Sequence, residues 1–264
     1  MQELSDIIKM VNLKGVQPVK NFHEEELDGT KLRQLYEGVA SGVLQSDDEA
    51  ANVLYGTDAS DKRYIMLRKN LTDRLLQTLV QYDYSKRLPA LVNEKSWCIR
   101  SMFGITMLLS FGAVESAIRL VEKVLRRAEQ FHFTDIRVQC LQILREKVSL
   151  RGDTDKYEEY DAALKSTLAL QQAELEAEEM CQRIEIHFTR SAAEQPHIAD
   201  LAEKYLRRLK ILTKSGSSFV LDINTFRIKL YMLQTRHEYR AALKVCTEAD
   251  AYLLDHPEFS SRSR

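Results

Sequence analysis

The sequence predicts an all-α protein, an α-solenoid of about four helical hairpins preceded by a small helical region. Three observations carry that prediction. The first is punctuation: 264 residues contain only 9 Gly and 4 Pro, where average usage gives about 18 and 13. Hairpin turns, bulges and phosphate-cradling loops use glycine because it reaches positive φ without strain, so sheet-rich folds fit poorly. The second is period. After Pro89, apolar stripes of helical spacing alternate with breaker residues, and paired helices begin near residues 90, 134, 175 and 217, a period of about 42. The third is a repeated heptad: Glu159 to Lys165 reads EYDAALK and Glu238 to Lys244 reads EYRAALK, six identities in seven at a distance of 79 residues.

Taken in order, residues 1–27 read as a short helix and an irregular lead-in that holds Gly15, Pro18 and the acidic run Glu24-Glu25-Glu26. Leu32, Leu35, Tyr36, Val39 and Val43 then recur at spacings of three and four, which predicts a helix over 30–43. Gly38 and Gly42 form a GxxxG pair on it, a mark of close approach by a neighbouring helix. Ser46 reads as an N-cap, with Asp47, Asp48 and Glu49 in a first turn where the helix dipole favours acid. Gly56 ends that helix. A longer helix follows over 60–82, apolar at Ile65, Leu67, Leu71, Leu75, Leu76 and Leu79.

The array begins at Pro89, so the chain divides into a helical region at 1–88, repeats at 89–257 and a tail at 258–264. Helices are predicted at 90–109, 112–131, 134–151, 154–173, 175–192, 196–214, 217–235 and 237–256. Gly112, Phe133-Thr134, Gly152-Asp153, Pro196 and Gly216 separate them, and Pro257 follows the last. The boundary at 173–175 has no breaker and rests on the period. The uncharged run Ser101 to Val114 is 14 residues long, short of the roughly 20 that a bilayer span needs. It reads as a buried helix running into a turn, with Trp97, Phe103 and Phe111 in the core. Cys98, Cys140, Cys181 and Cys246 stand singly, with no CxxC pair. Each reads as a small buried hydrophobe, and together they imply a reducing compartment, the cytoplasm.

The stretch Leu230 to Leu243, with Ala249 and Pro257 beyond it, resembles a tetratricopeptide repeat. Tyr239 stands where such repeats carry an aromatic before the second helix, Ala242 and Ala249 take the small positions, and Pro257 trails. The unit is longer than the usual repeat of about 34 residues. The small residues of the first helix are absent, and His237 occupies a turn position where glycine is usual. The resemblance implies a right-handed superhelix whose concave surface binds a peptide or partner domain, and it places Asn224, Arg227 and Tyr231 on the inner face of one helix.

No phosphate-loop, dinucleotide, zinc-protease, nucleophile-elbow or EF-hand pattern occurs. The six histidines never fall three or four apart, and the carboxylates spread around helices without forming a selected pair. The expectation is a cytoplasmic, non-enzymatic scaffold or adaptor with a protein or peptide partner and no cofactor, metal or membrane span. A net charge of −1 and a pI near 6.6 exert no global pull on nucleic acid. Charge is nevertheless uneven: residues 119–151 are mainly basic, and residues 153–179 hold nine acids against Lys156 and Lys165.

Two further expectations concern the ends of the molecule. In the last helix Tyr239, Ala242, Leu243, Cys246, Ala249 and Leu253 form an apolar stripe with no polar capping helix after it. Solenoid ends need such caps, so this end is expected to be covered by self-association through the C-terminal hairpin, by a partner or by further chain. The alternative function lies at the other end. Helices at 30–43, 46–55 and 60–82 are similar in arrangement to a helix-turn-helix, whose third helix would offer Lys62, Arg63, Arg68, Lys69 and Arg74 to DNA. Residues 1–90 carry 12 Lys+Arg against 14 Asp+Glu and no readable wing, which weighs against strong phosphate binding.

Overall fold

A computed structural model describes residues 1–12, 30–81, 89–190, 195–213, 216, 218–256 and 259. Among these residues all regular secondary structure is helical and no strand occurs. The lead-in at 13–29, Tyr82 and Pro257 lie outside them. The chain forms two compact units, residues 1–86 and 87–264.

The first unit holds α1 (Gln2–Asn12), α2 (Lys31–Ala40), α3 (Asp47–Tyr55) and α4 (Lys62–Gln81). Leu4 and Ile8 of α1, Leu35 of α2, and Leu71 and Leu75 of α4 meet in one core. Local chemistry fixes the ends of α3. Ser46 accepts from the Glu49 backbone N–H while the Glu49 side chain accepts from the Ser46 N–H, a reciprocal capping box. Gly56 closes the helix in the left-handed conformation. The GxxxG expectation is corrected. The second helix ends at Ala40, so Gly42 lies outside it, and Gly38 is crowded by Leu44 of the following turn, whose Cδ1 would sit 2.4 Å from an added Cβ.

The second unit comprises α5 (Ala90–Ser110), α6 (Val114–Gln130), α7 (Thr134–Ser149), α8 (Thr154–Arg190), α9 (Gln195–Leu212), α10 (Phe219–Thr235) and α11 (Tyr239–Asp255). Each helix packs on the next, and α10 also packs on α8. One apolar cluster joins Cys98 and Ile105 of α5 to Val121 and Val124 of α6 and Cys140 and Leu144 of α7. Another joins Ala177 and Ile184 of α8 to Ile198 and Ala202 of α9 and Leu221 and Ile228 of α10.

Several helix ends share one turn. After α5, α6 and α10 a backbone N–H reaches back five residues: Ala113 to Leu108 O at 2.8 Å, Phe133 to Ala128 O at 2.8 Å and Glu238 to Leu233 O at 2.9 Å. This is the Schellman closure, whose penultimate residue must be left-handed. Gly112 fills that place after α5 with φ 76°, whereas His132 and His237 fill it at 55° and 58°. A non-glycine residue held there is strained by roughly 1–2 kcal/mol. Histidine at the turn preceding α11 thus preserves the tight turn at a conformational cost.

Three sequence expectations are corrected in this unit. The helices predicted at 154–173 and 175–192 are one, α8, of 37 residues. Gln171, Gln172, Ala173, Glu174, Leu175 and Glu176 span the expected break, and all are strong helix formers, so nothing stops propagation. Second, the two copies of the repeated heptad bury different faces. Leu164 is buried against Val138 and Leu141 of α7, whereas Leu243, its counterpart, is 68% exposed. Third, the apolar residues predicted as core divide. Cys98, Cys140 and Cys181 are buried and Cys246 is exposed. Trp97 is half-buried beneath the Arg127 guanidinium, 4.0 Å from its ring, while Phe103 and Phe111 are 69% and 81% exposed. No helix among the described residues is long and apolar enough to cross a membrane.

Candidate functional site

The second unit contains a cavity of about 680 Å³ that several helices build together. Leu91, Val92 and Ile99 reach it from α5, and the turn Phe131 to Thr134 forms one end. Leu175 and Glu178 reach it from the middle of α8, and Phe219 and Val220 from the start of α10. The uninterrupted course of α8 is what brings residues 171–178 past α7 and α10 at once.

Its polar groups are few and specific. Glu174 is only 8% exposed, and its Oε1 accepts from the Thr134 hydroxyl at 3.1 Å. Burial holds its carboxyl above the usual carboxylate range, although the Ser218 and Thr134 hydroxyls favour the charged form. Ser218 also caps α10, accepting from Leu221 N–H at 3.3 Å. Lys95 pairs with Asp135 at 3.3 Å and lies over the Phe133 ring. Glu178 is exposed on the same wall. The cavity is lined mostly by apolar surface, with Asp135, Glu174, Glu178 and Lys95 among its lining residues and the charge of Arg137 also acting on Glu174.

An aromatic side chain from beyond α11 also lines it. Phe259, beyond the end of α11, stacks on Phe219 with ring centroids 3.7 Å apart and planes 12° from parallel. Tyr252 lies 6.2 Å from Phe219, and His132 and His256 lie 5.5 and 6.2 Å from Phe259.

The sequence-predicted partner residues occupy the seam next to this cavity. Asn224, Arg227 and Tyr231 follow Val220 at spacings of four, three and four, which keeps them on one helix face. Asn224 is buried, donating to Val220 O at 2.9 Å and accepting from Arg227 at 3.3 Å. Arg227 and Tyr231 both donate to Glu185 Oε1 of α8, Tyr231 at 3.1 Å. The geometry makes the trio a polar clasp between α10 and α8, with Phe188 packed on the Tyr231 ring at 5.0 Å.

The five bases of α4 do not gather on one face. Arg68 pairs with Asp47 at 3.3 Å, and the same Asp47 accepts from the buried Tyr64 hydroxyl at 2.6 Å. Arg63 is held by Asp61 at 2.7 Å and covers Tyr55. Lys62 and Lys69 fall seven residues apart on a second face, and Arg74 shares the face of Arg63. Exposed Ile65, Met66 and Leu76 lie between them.

Sequence reasoning missed Glu174 and Phe259. Glu174 sits in a run of glutamates that reads as a solvated face; the available signal was its spacing of three and seven from the small apolar Ala177 and Cys181. Phe259 was simply the aromatic of the tail. Among the described residues no group of three His, Cys, Asp or Glu side chains is placed to hold a metal. Comparison with protein-family models, curated proteins and solved structures finds no match to this chain.

Proposed function

We propose that this protein is a non-enzymatic interaction scaffold whose second unit is an α-solenoid of tetratricopeptide-like hairpins that receives a peptide or partner segment. The cavity between α5, α7, α8 and α10 carries the reading. It has the size of a small-ligand or side-chain-binding cleft, an apolar floor and a few fixed polar groups. Helix-on-next-helix packing and the recurring Schellman turns support a stacked array. The buried thiols Cys98, Cys140 and Cys181 suit a reducing compartment, and cytoplasmic location is part of the proposal.

The test is selection of binding peptides from a random displayed library against the full chain and against Leu175→Glu. Leu175 is 55% exposed on the cavity wall, so this change alters the surface without opening the core. Selected peptides are expected to bind the parent protein and to lose at least about ten-fold in affinity to the variant, some 1.4 kcal/mol. Peptides that bind both proteins equally, or no enrichment at all, would overturn the reading.

A further inference from the structure

The last helix of the second unit, α11, leaves one face uncovered. It packs on α10, where Val245 is buried and Tyr252 donates to Asp222 at 2.9 Å and stacks on Phe219. Away from that contact, Tyr239, Leu243, Cys246, Asp250 and Leu254 follow one another at spacings of four, three, four and four, which keeps them in one row. All five are exposed, Tyr239, Leu243 and Leu254 at 65%, 68% and 70%. No residue of α11 lines the cavity, so this row is a separate surface.

The charges of α11 specify what fits the row. Its first half carries Arg240 and Lys244, and its second half Glu248, Asp250 and Asp255. Arg240 in the first turn and Asp255 in the last oppose the helix dipole, which favours acid at the N-terminus and base at the C-terminus. None of these five side chains is held in an ion pair among the described residues. An antiparallel copy of the same helix answers both features, because it lays the acidic half of one helix along the basic half of the other. The row has the matching symmetry. Tyr239 and Leu254 lie equally far from the point between Cys246 and Thr247, as do Leu243 and Asp250. A two-fold axis through that point sets Tyr239 against the partner's Leu254 and brings Asp250 within reach of the partner's Lys244 and Arg240. A parallel copy would instead set like charges side by side.

We infer that this row is an isologous, antiparallel dimer interface, and that the partner it fits is a second copy of this chain. The inference goes beyond the scaffold reading and does not rest on it. A helix of 17 residues is about 25 Å long, and a single pair of such helices covers less than the roughly 1,200 Å² at which stable interfaces begin. The dimer is accordingly weak and governed by concentration. At its centre Cys246 stands beside the partner's Cys246.

The experiment is sedimentation velocity of the full chain from about 1 μM to about 500 μM, the range of a weak dimer. Monomer is expected to pass to dimer and no further. Leu243→Glu, at an exposed position, is expected to weaken the dimer at least about ten-fold. Lys244→Asp alone and Asp250→Lys alone are each expected to weaken it at low salt. An equimolar mixture of those two variants is expected to regain association, because opposite charges then face one another at both symmetric places. A short bismaleimide is expected to link Cys246 to the partner's Cys246, since Cys98, Cys140 and Cys181 are buried, and the link is expected to vanish in Leu243→Glu. Far-UV circular dichroism and the urea midpoint of each variant establish that it is folded. A chain that stays monomeric throughout, one that grows beyond a dimer, a dimer indifferent to Leu243→Glu, or a mixture that associates no better than its components would overturn the inference.

Discussion

Glu174 is the side chain on which the electrostatics of the cavity turn. Burial raises its pKa; the hydroxyls of Ser218 and Thr134 and the charge of Arg137 work against that rise, and Glu178 adds to it. The folded protein thus binds this proton more readily than the unfolded chain does. The resulting stabilisation is complete below the unfolded carboxylate pKa of about 4.3 and is lost as pH rises through the folded value. Glu174→Gln keeps the shape and one acceptor oxygen while removing the charge. Its urea midpoint is expected to exceed the parent's at about pH 7, with the gap closing as pH falls toward about 4. A gap that widens on acidification would contradict the assignment. Asp47 in the first unit has the opposite sign. Burial opposes its charge, but the Met1 amino group, the Tyr64 hydroxyl and Arg68 outweigh burial and lower the pKa. Its contribution is present above the ordinary aspartate range and disappears as pH falls through the folded value. Neither group was identifiable as perturbed from sequence, because the partners come from other helices.

At the scale of elements, the helix ends were legible and the covered faces were not. Ser46, Gly56, Gly112 and Gly152 mark boundaries through capping and left-handed geometry, both of which are local. Whether an apolar stripe is buried depends on the next element. Phe103 and Phe111 continue the apolar pattern of α5 yet face solvent, and the two heptads share letters but not neighbours. Leu164→Ala is accordingly expected to lower stability by about 2–5 kcal/mol, while Leu243→Ala stays within about 0.5 kcal/mol. Urea unfolding of the two variants makes the comparison, and equal losses would contradict the packing described. The continuity of α8 has its own test. Gln172 is exposed midway along the helix, so Gln172→Pro is expected to destabilise the protein by about 3 kcal/mol or more. Were two helices joined at 173–175, proline near that joint would be far better tolerated. The period of about 42 suggested such a joint because repeats are assumed to keep their breaks; the run of Gln, Ala, Glu and Leu overrides it.

At the scale of the whole molecule, the all-helical secondary structure of the described residues followed from the scarcity of glycine and proline. The first unit carries bases that are paired or dispersed, whereas the second has a largely apolar cavity into which a few charged side chains reach. That cavity was not legible in the sequence, since its walls come from residues up to 168 positions apart, from Leu91 to Phe259, and Asn224, Arg227 and Tyr231 are not among them. The central claim is that partners enter there. Photo-crosslinking of a library-selected peptide bearing a benzophenone, followed by mass spectrometry, tests it most directly. Crosslinks are expected on residues 91–99, 131–135, 171–178 and 219–220; crosslinks confined to α4 or to the exposed face of α11 would contradict it.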